Sequence, residues 1–377
     1  MASESVAEKL GSLAGIVRRQ YQNITIFHAF SWLAGLENLI TFPIDRFLRR
    51  DGSACLPLTL GVMVTQRCNL RCKMCKVTGL LTRDGSGEPT LAQLDKFFAE
   101  LAPGRTHLGL CGGEPLLRRD LGAIAAAARR RRLSAGIFTN GVLLDPDMAD
   151  QLTEAGLSYV AVSLLGDRAE HNRLAAAPNA YDLLVRNLRY LARNRKQTRV
   201  VIHCTLSPVN LGAMDEVMRL AEELDLDFVR FGHPTWFTPE DARKSRAFFA
   251  RRFPGERIGA LAFDYQPRFK TEQVVAAVRA ARRRYGGRIG FQPELTDSEV
   301  RGWYGGEFRT QRPCLFVFRG GIVRANGDLT CCESLDYVIG NVYRDGFRGV
   351  WNNARYRTLR NQLKQGLFPA CARCCKL

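Results

Sequence analysis

Short apolar runs alternate with amphipathic stretches from residue 58 onward. The apolar runs are LTLGVMVT (58–65), HLGLC (107–111), AGIFTN (135–140), YVAVSLL (159–165), RVVIHCTL (199–206) and DFVRFGH (227–233). Nearly continuous apolar character is typical of parallel strands that are buried on both faces. The stretches between them repeat apolar residues at helical spacing, and Thr90 and Asp145 are typical helix starts. Six such repeats predict an α/β fold with a parallel sheet and right-handed crossovers, either doubly wound or a full or partial barrel.

The pattern divides the chain into four parts. Residues 1–55 are predicted to form an N-terminal helical extension, and residues 56–238 form the repeating core. Residues 239–310 are less regular, with one more apolar run (RIGFQP), and we interpret them as a region that completes the sheet or links it onward. Residues 311–377 have short strands, Gly-rich turns (RGG, NGD) and many cysteines, which predicts a separate small α+β domain.

The charge of the chain is strongly basic. It has 377 residues, with 55 Lys+Arg against 37 Asp+Glu, and a formal net charge of +18. This balance favours anionic partners, although an Arg-rich surface can also reflect composition alone. The arginines are not interleaved with aromatic residues as in a nucleic-acid groove, so we expect no nucleic-acid partner.

The segment from Ile24 to Arg50 is rich in apolar and aromatic residues. It lacks an uninterrupted apolar run of about 18 residues, so it is a poor transmembrane candidate. The pattern predicts an amphipathic helix, a break near Pro43 and a basic end. Two interpretations stay open, a helix packed on the domain or an interfacial helix that contacts a membrane or a lipid-linked substrate.

The twelve cysteines are clustered, and the first residues lack the pattern of a secretory signal. We therefore expect a cytoplasmic protein whose cysteines bind metal or do redox work. Cys68, Cys72 and Cys75 follow the first predicted strand with C-x3-C-x2-C spacing. A structural zinc site requires a fourth ligand, and none lies nearby in the sequence. Three thiolates can instead hold three irons of a 4Fe–4S cluster and leave the fourth iron open.

This loop and the strand ends that follow it resemble the radical S-adenosylmethionine (SAM) enzymes over roughly residues 56–235. GGEP stands at the end of the second predicted strand, TNG ends the third, and SLLG stands at the end of the fourth. The resemblance implies a partial (β/α)6 barrel and a set of SAM contacts: Met74, Gly112, Gly113, Glu114, Pro115, Asn140, Ser163, His203 and Gly232. His203 stands where the family commonly has Asn. In this family, SAM chelates the open iron, one electron cleaves its C–S bond, and the resulting 5′-deoxyadenosyl radical removes hydrogen from the substrate.

The C-terminal part resembles the auxiliary-cluster domains called SPASM and, in shortened form, twitch. Cys314 and Cys332 fit C-x12-G-x4-C, and Cys371 and Cys374 follow as C-x2-C. This implies one auxiliary 4Fe–4S cluster with four protein ligands; a zinc site is the alternative. Cys331 could replace Cys332, and Cys375 could replace Cys374.

Two reactions fit these features. A thiol, Cys204 or Cys111, could return a hydrogen atom to the substrate and make an epimerase. His203 is either a satisfied polar group at a strand end or a contact to SAM or the substrate that could act as a base. Alternatively, the substrate loses an electron to the auxiliary cluster and a proton to a base, which is an oxidation. We expect a small-molecule substrate, which is a sugar, an aminocyclitol or a nucleotide- or lipid-linked compound. The net positive charge favours an anionic one. We also expect a reductant such as flavodoxin or ferredoxin. The alternatives are a peptide-modifying enzyme and a non-catalytic iron–sulfur electron-transfer module.

Overall fold

The computed structural model describes residues 32–259, 268–306, 308, 310, 312–332, 334–374 and 376. The first helix is followed at once by a π-helical turn, Ile44–Leu48. The helices are α1 (Trp32–Pro43), α2 (Leu91–Leu101), α3 (Leu121–Arg130), α4 (Pro146–Glu154), α5 (Arg168–Ala175), α6 (Ala180–Asn194), α7 (Met214–Glu223), α8 (Pro239–Arg252), α9 (Thr271–Tyr285), α10 (Asp297–Gly305), α11 (Phe316–Arg319), α12 (Val342–Asp345), α13 (Phe347–Trp351) and α14 (Ala354–Gln365).

Ten strands form one sheet in the order β10-β9-β8-β1-β2-β3-β4-β5-β6-β7. Strands β8 and β1 through β7 are parallel, and β9 and β10 add antiparallel pairs at one edge. The strands are β1 (Thr59–Thr65), β2 (His107–Gly112), β3 (Ala135–Thr139), β4 (Tyr159–Ser163), β5 (Arg199–Thr205), β6 (Phe228–Gly232), β7 (Ile289–Gln292), β8 (Gly320–Val323), β9 (Asp328–Thr330) and β10 (Val338–Asn341). The six predicted strands and the α/β class are confirmed.

The sheet extends beyond the six predicted repeats at both edges. The run RIGFQP contains β7, which pairs with β6 as a further parallel strand. On the other side, β8 pairs with β1, with Gly320 opposite Thr59. The prediction of a turn at RGG is therefore wrong, because its two glycines begin a strand. A Cβ at Gly320 would lie 2.8 Å from the carbonyl oxygen of Thr59, so glycine permits this close pairing. The division at residue 311 stays a prediction, and the sheet runs across it.

Local signals set several helix ends as predicted. The hydroxyl of Thr90 accepts a hydrogen bond from the Gln93 backbone N–H, and the carboxylate of Asp145 accepts one from Met148. These bonds satisfy donors that a helix start leaves unpaired. In the part of the chain that the structure describes, no helix has both the length and the apolar character needed to cross a membrane.

The predicted N-terminal helix is present as α1, and residues 24–31 lie outside the described residues. Pro43 is its last residue, so the predicted break is replaced by a direct passage into the π-helical turn. Phe42 is buried in the main hydrophobic core. One face of this segment therefore packs on the domain, as the first of the two interpretations expects.

Candidate radical and auxiliary cluster sites

The cysteine loop follows the carboxyl end of β1. The backbone N–H of Lys73 donates to the carbonyl of Leu174 at 2.9 Å, which pins the loop to the end of α5. Cys68 and Cys72 are half-buried against a small apolar cluster made of Leu70, Ala175 and Ala180. The loop is thus held between β1 and the junction of α5 and α6.

The three thiols interact electrostatically. Burial raises the pKa of Cys72 to about 12, and the neighbouring Cys75 and Cys68 add to the rise. Burial likewise raises the pKa of Cys68. All three are free cysteines, which is the donor set that an iron–sulfur cluster requires. Among the described residues, no three Cys, His, Asp or Glu side chains are arranged to hold a single metal ion. A cluster does not require this, because each thiolate binds a separate iron.

The paired glycines of GGEP pack against the backbone that leads into the cysteine loop. A Cβ at Gly112, where φ is +145°, would lie 2.0 Å from the carbonyl oxygen of Thr65, and one at Gly113 would lie 2.1 Å from that of Arg67. The Gly113 and Glu114 amides donate to these same carbonyls at 3.1 and 2.8 Å. The glycines therefore permit close contact within the chain, in addition to any approach of SAM expected from the sequence.

The Glu114 side chain is buried and connects three of the predicted motifs. Its Oε1 accepts hydrogen bonds from the Thr139 hydroxyl at 2.7 Å and the Leu116 amide at 3.0 Å, and Oε2 accepts from the Asn140 amide at 2.8 Å. The Asn140 side chain in turn donates to Asn69, inside the cysteine loop, at 2.9 Å. Burial raises the pKa of Glu114 to about 7 although these bonds oppose the rise.

The remaining predicted SAM contacts lie at neighbouring strand ends. Ser163 is opposite His203 in the β4–β5 register. A Cβ at Gly232 would lie 3.2 Å from His203 Nε2, so the glycine leaves room for the imidazole. Met74 is half-buried in the cysteine loop, and Pro115 begins a short 3-10 turn. Their contacts to SAM stay predictions.

A group of polar side chains that the sequence interpretation missed lies on one face of the sheet, here called the inner face. His107 Nε2 lies 3.2 Å from the hydroxyl of Tyr159, and the Phe138 ring packs edge-on to Tyr159 at 5.8 Å. Burial raises the pKa of Tyr159, while the charge of Arg230 lowers it and that of Cys111 raises it. These polar residues interrupt apolar strands at alternate positions, and that interruption was the available signal.

The two candidate thiols lie in different surroundings. Cys111 is on the same face of β2 as His107. Its Sγ faces Gly61 of the neighbouring strand β1, where an added Cβ would lie 3.9 Å from the sulfur. Cys204 is 1% exposed in the main hydrophobic core, with Asn210 Nδ2 at 3.9 Å from its sulfur, and burial raises its pKa to about 12. This position favours the interpretation of Cys204 as a small buried apolar residue.

The predicted auxiliary ligands gather on the C-terminal side. Burial is the main cause that raises the pKa of Cys371, and the thiols of Cys332 and Cys314 add to it. Cys331 Sγ lies 3.9 Å from Cys332 Sγ, so both remain candidates for one ligand. Cys374 packs against the same core, and Cys375 lies outside the described residues.

A buried arginine stands between the last two predicted ligands. The Arg373 side chain is 0% exposed, and its Nη1 lies 3.3 Å from Asp241 Oδ2 of α8. Its Nε donates to the Trp303 carbonyl of α10 at 3.1 Å, and its guanidinium lies 3.9 Å from the ring centroid of Trp236. The C-x2-C turn is thereby fastened to the segment after β6 and to two helices.

Comparison with protein families decides the assignment. Residues 62–221 match the radical SAM superfamily, and residues 314–375 match SPASM, an iron–sulfur cluster-binding domain. The chain therefore contains a radical SAM domain followed by a SPASM domain. The suspected resemblance is confirmed. The radical SAM domain binds a 4Fe–4S cluster and SAM, and the SPASM domain binds auxiliary iron–sulfur; the cysteines described above fit these groups.

Sequence relatives include three curated enzymes. Fe-coproporphyrin III synthase of Methanosarcina barkeri is 33% identical over 45% of this chain and 42% of its own length. AdoMet-dependent heme synthase of the same organism is 28% identical over 81% of this chain and 85% of its own. Pre-heme d1 synthase of Dinoroseobacter shibae is 31% identical over 45% of this chain. The match thus covers 42% of the length of the first relative and 42% of the length of the third.

Solved structures share the fold. Streptococcus suis SuiB bound to its precursor peptide SuiA has a TM-score of 0.61 at 13% identity, covering 85% of this chain and 70% of SuiB. An anSMEcpe structure with bound AdoMet has a TM-score of 0.56 at 18% identity, covering 80% of this chain and 82% of that one. At these identities the likeness concerns the fold alone.

Proposed function

We propose that the protein is an enzyme that removes a hydrogen atom from an anionic small molecule and thereby oxidises or epimerises it. The observation that carries this proposal is the inner-face group of Arg230, His107, Tyr159 and Cys111. Arg230 and Cys111 lie on the same face of the sheet as the buried His107–Tyr159 pair, and a cation and a thiol on one face can bind an anion and act on it. The charge of Arg230 supports an anionic group on the substrate.

Each bound group has a defined source of ligands in this proposal. Cys68, Cys72 and Cys75 would hold the cluster that binds SAM, and the strand-end motifs would hold SAM itself. When bound, these groups supply a 5′-deoxyadenosyl radical that takes hydrogen from a substrate carbon. The chain contributes position, exclusion of water and the groups that complete the reaction.

The two outcomes require different side chains. In an epimerisation, the Cys111 S–H bond breaks and its hydrogen atom forms a C–H bond on the opposite face of the substrate; the thiyl then takes one electron from the reductant and one proton. In an oxidation, the substrate would lose one further electron and one proton. His203 is the candidate base for the proton, and the auxiliary iron–sulfur of the SPASM domain would supply an electron acceptor. A flavodoxin or ferredoxin in the cytoplasm is the proposed reductant.

Substrate candidates come from the relatives. Three enzymes named for heme or coproporphyrin products match by sequence, one of them along 81% of this chain. Carboxylated compounds of this class are therefore the first substrates to test, followed by sugars and nucleotide- or lipid-linked compounds. A peptide substrate is the second class, and it has the weaker support because SuiB shares the fold at only 13% identity.

The test uses the anaerobically reconstituted protein with SAM and dithionite in deuterated buffer. We expect deoxyadenosine to form faster with an anionic small molecule than without it. Deuterium at a substrate carbon indicates thiol quenching, and a product that has lost two hydrogens indicates oxidation. Deoxyadenosine formation stimulated only by peptides contradicts the proposed substrate, and absence of SAM cleavage under all conditions favours an electron-transfer module.

Two cysteine variants separate the outcomes. Cys111→Ser removes the proposed hydrogen donor, so it should abolish deuterium incorporation while deoxyadenosine still forms. Cys204→Ala is the matched control, since its thiol lies in the hydrophobic core, and it should leave the isotope pattern unchanged. Deuterium incorporation that survives Cys111→Ser and is lost in Cys204→Ala contradicts the assignment of the donor.

A further inference from the structure

The exposed large apolar side chains are concentrated in one short segment. Among the described residues, six such side chains are exposed, and five of them lie between residues 36 and 48. They are Leu36 (53% exposed), Leu39 (36%), Ile40 (66%), Phe47 (56%) and Leu48 (70%). The sixth, Phe138, is on β3. Single exposed apolar residues are ordinary, but a contiguous group marks an interaction surface. We call these five side chains the apolar stripe.

The segment is fixed to the protein by its opposite side. Phe42 is 5% exposed, and the Arg319 guanidinium lies 5.0 Å from its ring centroid. The buried Asp45 accepts a hydrogen bond from the Cys55 amide at 2.9 Å and pairs with Arg49 at 3.4 Å. The apolar stripe is therefore presented outward by an anchored helix and cannot turn inward without breaking these contacts.

Cations surround the basic end of the apolar stripe. The Arg46 guanidinium lies 5.2 Å from the ring centroid of Phe47, the Arg49 side chain is 37% exposed, and Arg50 is exposed. Within this stretch, Glu37 is paired with Arg105 at 3.2 Å and Asp45 with Arg49 at 3.4 Å, so the exposed cation at its end is Arg50. Apolar side chains beside arginines are the composition of an interfacial helix.

We propose that the apolar stripe and its flanking arginines bind the surface of an anionic lipid membrane. The charge of the chain decides between the candidate occupants. A second copy of the chain would bring another net charge of +18 to the contact and would be repelled, whereas an anionic bilayer attracts this charge. The apolar side chains enter the headgroup region, and the arginines remain at the level of the anionic headgroups. This inference does not depend on the reaction that the enzyme catalyses.

The test is flotation of the full-length holoenzyme with lipid vesicles. We expect binding to vesicles that contain phosphatidylglycerol, weaker binding to pure phosphatidylcholine, and a decrease of binding as salt is raised. The triple variant Ile40→Gln, Phe47→Gln and Leu48→Gln should bind roughly tenfold more weakly or worse, because it removes the buried apolar area. Arg50→Gln should weaken binding to the anionic vesicles only.

Phe138→Gln is the matched control, since Phe138 is the one exposed large apolar side chain that the described residues have outside the apolar stripe, and this variant should bind vesicles like the wild type. Iron content and circular dichroism confirm that each variant is folded. The proposal is overturned if the wild type does not float with anionic vesicles or if the triple variant floats equally well. It is also overturned if the wild type is a dimer that the triple variant makes monomeric and vesicle binding is absent.

Discussion

The buried pair of Arg373 and Asp241 gives a prediction whose size follows from the structure. Replacing Arg373 by Met leaves the carboxylate of Asp241, 4% exposed, without its cation and the Trp303 carbonyl without its donor. Removal of one partner of a buried ion pair costs about 3–5 kcal/mol. For a chain of 377 residues, an unfolding entropy of about 2.1 cal/mol/K per residue converts this into a Tm lower by about 4–6 °C.

The assay is thermal unfolding of the anaerobic, reconstituted protein, with iron content measured on the same samples. Arg243→Met is the matched control, because Arg243 makes an exposed pair with Glu240 on the same helix, and no measurable change of Tm is expected. The double variant Arg373→Met/Asp241→Asn should recover part of the lost stability, because no unpaired charge stays buried. An Arg373→Met protein that unfolds with the control would refute the reasoning. A double variant no more stable than Arg373→Met would show that lost packing, and not the unpaired charge, causes the effect.

Three further predictions concern other parts of the molecule. Gly113→Ala should lower the bound iron by about half, because its Cβ would lie 2.1 Å from the Arg67 carbonyl oxygen, which leads into the cysteine loop. Gly79→Ala is the control: no atom lies within 4 Å of the added Cβ, so this variant should bind iron normally. Equal iron content in the two variants would contradict this prediction. Cys314→Ala should lower the iron content from about eight to about four atoms per chain and leave the SAM-binding cluster in place. Iron analysis and electron paramagnetic resonance measure this, and an unchanged iron content would contradict a separate auxiliary cluster. Burial lowers the pKa of His171 to about 4, so between about pH 6.5 and pH 4 only the unfolded chain takes up this proton. The free energy of unfolding should therefore fall by about 1 kcal/mol by pH 5.5, as measured by denaturant unfolding. His171→Gln should remove this part of the pH dependence, and an unchanged dependence of stability on pH would contradict the prediction.

The cofactor chemistry was predictable because it depends on close sequence spacing. Cys68, Cys72 and Cys75 occupy one loop, so their chemistry is visible without the fold. The six strands were also predictable, since burial on both faces leaves continuous apolar runs. The pairing of β8 with β1 was not predictable, because it joins positions about 260 residues apart and its glycines are typical of turns.

The connection between motifs was beyond the reach of the sequence. GGEP, TNG and the cysteine loop were each recognised separately. The Glu114 side chain accepts hydrogen bonds from Thr139 and Asn140, which lie 25 and 26 positions further along the chain. The two candidate thiols were equivalent in sequence. Strand parity and packing separated them, because alternate residues of a strand point to opposite faces of the sheet.

The sequence by itself determined the family, the α/β repeat and the kinds of cofactor, since each rests on local spacing or on a pattern of burial along the chain. The tertiary structure decided which side chains are brought together. Arg230 and Cys111 lie close enough to Tyr159 for their charges to act on its pKa, Arg373 pairs with Asp241 beneath the last cysteines, and five apolar side chains are left exposed in the apolar stripe. These contacts depend on strand order and helix packing, which bring together residues that are distant in the chain. Their positions, and not their identities alone, define what the protein can bind.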